Sequence, residues 1–426
     1  MDNNSKENKN STVLDEEIYT VTAEKMVFGG DCMAKINGKN VFFPYAIPGE
    51  KLLIKITKNL RDYNLAKIVK IIEPSPDRTE PFCPLYTQCG GCNMQHIKIQ
   101  RQRQLRSQML KDCFERAGVS CPDIVVISGK ERAYRSRVQL TDGSFNRRDS
   151  NSTVELKNCP VATDAINHYL EQTSQFTRPR GRVHFFGDER LVECSGPFPN
   201  LAIADEAKNH LWQQKVTGKK SKVKNRVKQR FAGTTSSGQN LCKINLLNRH
   251  TVQFDVKGFF QSNIEVLEKT IEQIVTNIGG NSVLDMYSGC GTLSVFLADL
   301  FKKTVMVEHN RDALVNAELN LQGKPHETYG VSGAKFVEQN ASQILKHDGP
   351  FDAVVIDPPR SGMEKEVCRW LCDNKTPILK SLSCDPATHA RDAAMLIKSG
   401  YTLTKLFLLD FYPQTSHIES LAFFES

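Results

Sequence analysis

No apolar run in this chain approaches the roughly 20 residues that a membrane-spanning helix needs, and no internal repeat is evident. The stretch from Met1 to Ser11 is polar and lacks the apolar segment of a signal peptide. No membrane partner and no oxidising compartment are therefore expected, and the cytoplasm is the default. A strong charge imbalance is also missing: the formal net charge of +8 over 426 residues permits a polyanionic partner without requiring one. With 39% hydrophobic and 24% charged residues, the composition is that of a soluble globular protein. The length exceeds the roughly 250 to 300 residues at which a single core stops growing, so two or three domains are expected. Oligomeric state is not readable, and a monomer is the working expectation.

After a disordered tail over residues 1–15, residues 16–73 carry short β-rich runs, Val41 to Tyr45 and Lys51 to Thr57 among them, separated by Asn37-Gly38 and Pro48-Gly49 turns. They predict a small β-barrel, a shape that often presents a face to single-stranded nucleic acid but serves equally as a purely structural module; the segment resembles the TRAM domain of RNA-modifying proteins, an OB-like barrel. Residues 74–80 read as a linker. Residues 74–258 predict a mostly β central region, with runs such as Val183 to Phe186 and Leu241 to Leu247. Residues 259–426 alternate apolar strands with amphipathic helices, Ser282 to Tyr287, Thr304 to Glu308, Phe351 to Ile356 and Ile378 to Ser383 being the strands. That alternation predicts a doubly wound, Rossmann-like α/β domain.

Three basic groups precede the α/β domain: Arg101, Arg103 and Arg106; Arg132, Arg135 and Arg137; and a run from Lys219 to Arg230. Any one of them is ordinarily solvated surface, but three together favour an RNA partner.

Thirteen cysteines in a long chain, three of them in one short stretch, argue for metal ligation or catalysis over a disulfide framework. Cys83, Cys89 and Cys92 follow a C-x5-C-x2-C spacing, with Gly90 and Gly91 freeing the backbone to fold around a ligand. No histidine stands in the spacing, and Cys159 is the candidate fourth ligand. Four thiolates suit an iron-sulfur cluster or a structural zinc equally.

Val283 to Thr292 is an apolar strand running into the glycine turn Gly289-Cys290-Gly291, where a backbone can approach a ligand closely. The next strand ends in Glu308, placed to accept hydrogen bonds from ribose hydroxyls. The longer G-x-G-x-x-G run of nicotinamide enzymes is absent, and an adenosine is the expected ligand. Asn340, after Phe336 and Val337 at the end of an expected third strand, is a candidate adenine contact.

Two prolines stiffen Asp357-Pro358-Pro359-Arg360 at the end of the fourth strand. Cys384 ends the fifth, on the carboxyl edge where open α/β sheets bind ligands. Glu419 opens the last strand. A thiol and carboxylates in one pocket are what methylation of pyrimidine carbon 5 requires: the thiolate adds to carbon 6 and a base then removes the carbon 5 proton. Asp357 would raise a neighbouring thiol's pKa, so it is expected to serve the uracil ring or the cofactor. The target base must leave its stack.

Together, Phe259-Phe260-Gln261-Ser262-Asn263, Asp285 to Thr292, Asp357 to Gly362, Ser383 to Thr388 and Asp410 to Glu419 resemble the motifs of the RNA uracil-5 methyltransferases. Within that family the resemblance is to the iron-sulfur branch with an N-terminal TRAM domain that acts on 23S ribosomal RNA, and it covers about residues 16–426. It implies S-adenosyl-L-methionine contacts by Gln261, Tyr287, Gly289, Glu308 and Asp357, a 4Fe-4S cluster on Cys83, Cys89, Cys92 and Cys159, Cys384 as nucleophile and Glu419 as base. Ser288 stands where cysteine is common and Tyr412 where phenylalanine is common. Residues 160–240 match poorly. Two rival readings are the same reaction on transfer RNA and a non-catalytic iron-sulfur RNA-binding protein.

Overall fold

The computed structural model of the chain describes residues 18–194, 198–205 and 240–426. The expected tail over residues 1–15 and the basic run from Lys219 to Arg230 lie outside the described residues.

Six strands, Ile18–Thr22, Lys25–Met26, Cys32–Ile36, Lys39–Phe43, Lys51–Asn59 and Tyr63–Glu73, form the N-terminal sheet. Alternate residues such as Leu52 and Ile54, or Val41 and Phe43, point into its core. Asn37 and Gly38 both take positive φ, 49° and 81°, the hairpin turn that their pairing predicts. The segment expected to be a linker is pinned down: Arg78 donates through Nε and Nη2 to the fully buried Glu50, each at 2.6 Å, and to the Tyr45 carbonyl.

The central region differs from a mostly β expectation. It opens with the 18-residue helix Ile99–Arg116, which buries Leu105, Met109, Leu110 and Phe114 and packs against helix Pro386–Lys398 of the catalytic sheet. The strand Ile124–Ile127 then joins that same sheet, parallel to Thr402–Leu409. Among the described residues three small antiparallel sheets follow, one of two strands, Phe145–Asn146 and Thr153–Val154, and two of three strands, built on Arg182–Gly187 and on Leu241–Leu246.

The catalytic sheet has eight strands in the order His326–Tyr329, Phe301–Val307, Gly280–Met286, Ala353–Ile356, Ile378–Ser383, Glu419–Glu425, Thr402–Leu409, Ile124–Ile127. The first five run parallel. Glu419–Glu425 runs antiparallel to both its neighbours. The parallel strands read as continuous apolar runs because both faces are covered: Leu284 and Met286 pack in one cluster with Val367 and Ala390, Val283 in another with Ile271 and Leu314. Connectivity reverses between Gly280–Met286 and Ala353–Ile356, and that switch point places a ligand cleft at their carboxyl ends.

One expected strand is a helix. Phe336 and Val337 lie in Gly333–Gln339, and the third strand is His326–Tyr329. Phe336 is fully buried, so an apolar pair chosen for burial was read with the wrong period.

Candidate active site

At the end of Gly280–Met286 the chain turns sharply: Tyr287 has φ +63° and Gly289 and Gly291 have φ +56° and +78°. A side chain on Gly291 would meet Ala317 at 3.1 Å, whereas nothing stands within 4 Å of the position a Gly289 side chain would take. The loop thus packs tightly on helix Arg311–Asn320 and leaves open space on its other side. Glu308, from the next strand, accepts the Gly289 N–H at 3.0 Å and the Asn310 N–H at 2.7 Å. A carboxylate has roughly four acceptor positions, which leaves capacity for a diol. Tyr287 donates its hydroxyl to Glu364 at 3.1 Å, and Glu364 also takes the Ala334 N–H.

Sequence reasoning missed Asp285, which is buried one turn behind this loop and bonded by the Ser294 hydroxyl. Burial, with Asp357 and Glu308 nearby, pushes its carboxyl up to about 7. Asp357, dehydrated at the end of Ala353–Ile356, is pushed up to about 6. Three carboxyls gathered at one strand edge form an electronegative cleft suited to a cation. Ser288 Oγ and Gln261 Oε1, shut off from solvent, have no hydrogen-bond partner among the described residues. These features fit a cofactor that carries a sulfonium, an ammonium and hydroxyls to satisfy them. Asn340 follows the carboxyl end of helix Gly333–Gln339 and not a strand; at the other end of that helix a side chain on Gly333 would meet the Tyr287 hydroxyl and Glu364. The residues following the third strand are Gly330, Val331 and Ser332.

Cys384 and Glu419 come from adjacent strands. The last registered pair of Ile378–Ser383 and Glu419–Glu425 is Ser383 opposite Ser420, so the next step sets Cys384 across from Glu419 on one face. Burial pushes the thiol up to about 11, with Glu419 and then Asp357 adding to it and Arg360 opposing. Burial likewise pushes the Glu419 carboxyl up to about 8, with Asp357 adding and with Arg360 and the Gln261 side chain opposing. Cys384, Glu419, Asp357, Gln261 and Arg360 therefore share one electrostatic environment. Arg360 was named in the sequence only as part of a motif.

A cavity of about 650 Å³ is lined by all four candidate ligands, Cys83, Cys89, Cys92 and Cys159, and by Thr415 to His417. Burial raises the thiols of Cys89, Cys92 and Cys159, that of Cys92 to about 12, and Arg135 opposes each of these shifts. The Gly91 N–H donates to Cys89 Sγ at 3.4 Å, and the N–H groups of Val161 and Ala162 lower the Cys159 thiol in the same sense. A cation and amide donors aimed at sulfur favour thiolates. Among the described residues no three ligating side chains are gathered closely enough for one metal ion.

The expected basic groups fare differently. Arg103 and Arg106 are spent on Asp410, at 2.8 and 2.6 Å, and Arg106 is fully buried. Arg135 and Arg137 turn inward to line the cysteine cavity.

Comparison with known proteins follows this geometry. The family described as tRNA (Uracil-5-)-methyltransferase matches residues 101–426, and the TRAM domain matches residues 16–69. An uncharacterized RNA methyltransferase of Treponema denticola is 35% identical over 95% of this chain and 98% of its own. The 23S rRNA (uracil(1939)-C(5))-methyltransferase RlmD of Aliivibrio fischeri is 28% identical, with 98% of each chain covered. Among solved structures, the Pyrococcus abyssi tRNA (uracil-54, C5)-methyltransferase in complex with S-adenosyl-L-homocysteine superposes with a TM-score of 0.66 at 20% identity, over 95% of this chain and 99% of that one. No helix among the described residues is long and apolar enough to cross a membrane.

Proposed function

Since the chain belongs to the tRNA (uracil-5-)-methyltransferase family and is thus an RNA (uracil-5-)-methyltransferase with a TRAM domain, we propose that its target is a uridine of 23S ribosomal RNA, methylated through a covalent adduct with Cys384. The observation that carries the chemistry is the opposition of Cys384 and Glu419 across neighbouring strand ends. The ribosomal target is supported by the full-length match to the Aliivibrio fischeri protein.

Cys384, as the thiolate, forms a bond to carbon 6, and the π pair of the C5–C6 bond moves toward the carbon 4 oxygen as an enolate. S-adenosyl-L-methionine, when bound, supplies the electrophilic methyl that carbon 5 takes. Glu419 accepts the carbon 5 proton; that bonding pair re-forms the double bond, the C6–S bond breaks and sulfur leaves as thiolate. A carboxyl pushed up to about 8 is a stronger base than an ordinary glutamate, although only about a tenth of it is ionised at pH 7. Asp285, Glu308 and Asp357 would hold the cationic and hydroxyl parts of the cofactor, while Gln261 and Ser288 would offer it unpaired polar atoms. Cys83, Cys89, Cys92 and Cys159 would hold a 4Fe-4S cluster, which would tie the turns around residues 83–92 and 159 together; all four residues line one cavity, which supports this.

The test is incubation with labelled S-adenosyl-L-methionine and either 23S ribosomal or transfer RNA, followed by nucleoside analysis and denaturing gels. Label in 5-methyluridine of 23S RNA is expected. Cys384→Ala should yield neither product nor adduct, and Glu419→Gln a persistent protein-RNA adduct. Label confined to transfer RNA would reject the ribosomal target, and turnover by Cys384→Ala would reject the adduct.

A further inference from the structure

The base is the first residue of its strand, so its position depends on the nine residues, 410–418, that separate Leu409 from Glu419. Left to itself, a hairpin connection of that length is not confined to one conformation. Asn263 of the α/β domain donates to the Phe411 carbonyl, and the side chains that hold the loop at residues 410, 413, 414 and 416 come from outside that domain. Arg103 and Arg106 grip Asp410 at its start. Tyr134 donates to the Pro413 carbonyl at 2.9 Å. Gln102 holds Gln414, which has φ +71°, by two bonds of 2.9 Å.

Asn93, the residue after Cys92, makes the grip nearest to the base. Its Nδ2 donates to Ser416 Oγ at 2.9 Å, its Oδ1 accepts the Ser416 N–H at 2.9 Å, and its own N–H donates to the Gln414 carbonyl at 3.1 Å. The same amide also donates to the Gly29 carbonyl of the barrel at 3.0 Å. Gly30 is bare there for a reason: a side chain would meet Asn93 Nδ2 at 2.7 Å and Ser416 Cβ at 2.8 Å. One side chain thus links barrel, cysteine turn and base-bearing loop.

We propose that Asn93 is a positioning residue for proton abstraction, holding through Ser416 the loop that delivers Glu419 to carbon 5, so that the turn carrying the cavity cysteines acts on release of the adduct and not on its formation. This rests on Cys384 as nucleophile and Glu419 as base. Among the described residues Asn93 makes no hydrogen bond to Cys384 or to Gln261, Glu308 and Asp357 of the cofactor cleft. The strand before Cys384 is held by Ala353–Ile356 on one side and meets the strand of Glu419 on the other, so the grip reaches attack and methyl transfer only by way of that second strand, whereas the final proton transfer depends on the gripped loop itself.

The experiment compares the full-length wild type with Asn93→Ala, Ser416→Ala and Glu419→Gln in single turnovers on 23S RNA. It reads S-adenosyl-L-methionine binding, labelled adduct on denaturing gels, and free methylated RNA. Asn93→Ala should bind cofactor and form adduct within about twofold of wild type but release RNA roughly tenfold or more slowly, since small misplacements of a reacting group cost such factors. Ser416→Ala keeps its backbone N–H bond to Asn93 and should lie between. Should Asn93→Ala fail to fold, Ser416→Ala decides alone. Release at the wild-type rate, or equal slowing of adduct formation and release, overturns the inference. Absence of adduct even in Glu419→Gln overturns the reading on which it stands.

Discussion

Cys384, the nucleophile proposed above, should be nearly inert at rest. A thiol raised from the ordinary 9 to about 11 by burial, Glu419 and Asp357 holds about one hundredth of the thiolate that an unperturbed cysteine holds between pH 7 and 8, because each pKa unit is a factor of ten. Alkylation follows the thiolate, so the Cys384 peptide should react with iodoacetamide roughly a hundredfold more slowly than an exposed cysteine. Limited access could produce the same slowness, but it would not move the pH at which the rate levels. The rate, followed by peptide mass spectrometry because the chain has thirteen cysteines, should rise tenfold per pH unit and flatten only near 11. Asp357→Asn should lower that inflection and Arg360→Ala should raise it. Glu419→Gln should lower it too, by removing the charge that Glu419 carries above about pH 8. An inflection at or below 9 in the wild type would refute the argument that the site represses its own thiol until RNA fills it.

Cofactor binding should tighten with rising pH. Asp285 and Asp357 are raised to about 7 and about 6 and attract a cation only when ionised, so affinity for S-adenosyl-L-methionine should climb up to roughly tenfold between pH 5.5 and 7.5. S-adenosyl-L-homocysteine, which keeps the ammonium but has an uncharged thioether, should show a shallower slope in calorimetry, and equal slopes would discount the carboxyls as partners of the sulfonium. Asp410→Ala strands the buried Arg106 without its counter-ion and should cost about 3 to 5 kcal/mol in denaturant unfolding, well beyond the loss for the more exposed Arg103→Ala. Glu50 is pulled up by burial but more strongly down by Arg78 and by the N–H groups of Ser75 and Ile47, for a net lowered pKa. Its contribution is present above the ordinary 4.5 and lost as pH falls through the folded value, so Glu50→Gln should narrow the stability difference between pH 7 and pH 3 seen in thermal melts.

What could be read from the sequence was whatever depends on local period and on strand ends. Ile378–Ser383 falls on the predicted residues, and the strands ending near Glu308 and Asp357 fall within a few residues of prediction, because continuous apolar runs bounded by polar turns admit little else. Since strand ends define a ligand edge in such folds, Glu308, Asp357 and Cys384 could be placed together without coordinates. Long-range choices were hidden. Nothing local says that Ile124–Ile127 pairs with Leu406–Leu409, or that Arg103 and Arg106, spaced like a solvated helix face, turn inward to a carboxylate some 300 residues away. Phe336 and Val337 show the limit of period itself, since two apolar residues are too few to tell a buried helix from a strand.

The antiparallel strand explains why Glu419, the proposed base, stands so far along the chain. In the parallel part of the sheet only strand carboxyl ends reach the ligand edge, and they carry Asp285, Glu308, Asp357 and Cys384. Glu419–Glu425 enters between Ile378–Ser383 and Thr402–Leu409 with its direction reversed, so its amino end comes to that edge. A residue there can face Cys384 directly, which no neighbour at the far end of a parallel strand could do. The reversal has a cost in order, because the preceding loop must cross the mouth of the site. Its anchors, Asn93, Gln102, Arg103, Arg106 and Tyr134, all lie in the segment between barrel and α/β domain. On this account the segment completes the active site by fixing that crossing, and so does not serve only as a surface for RNA.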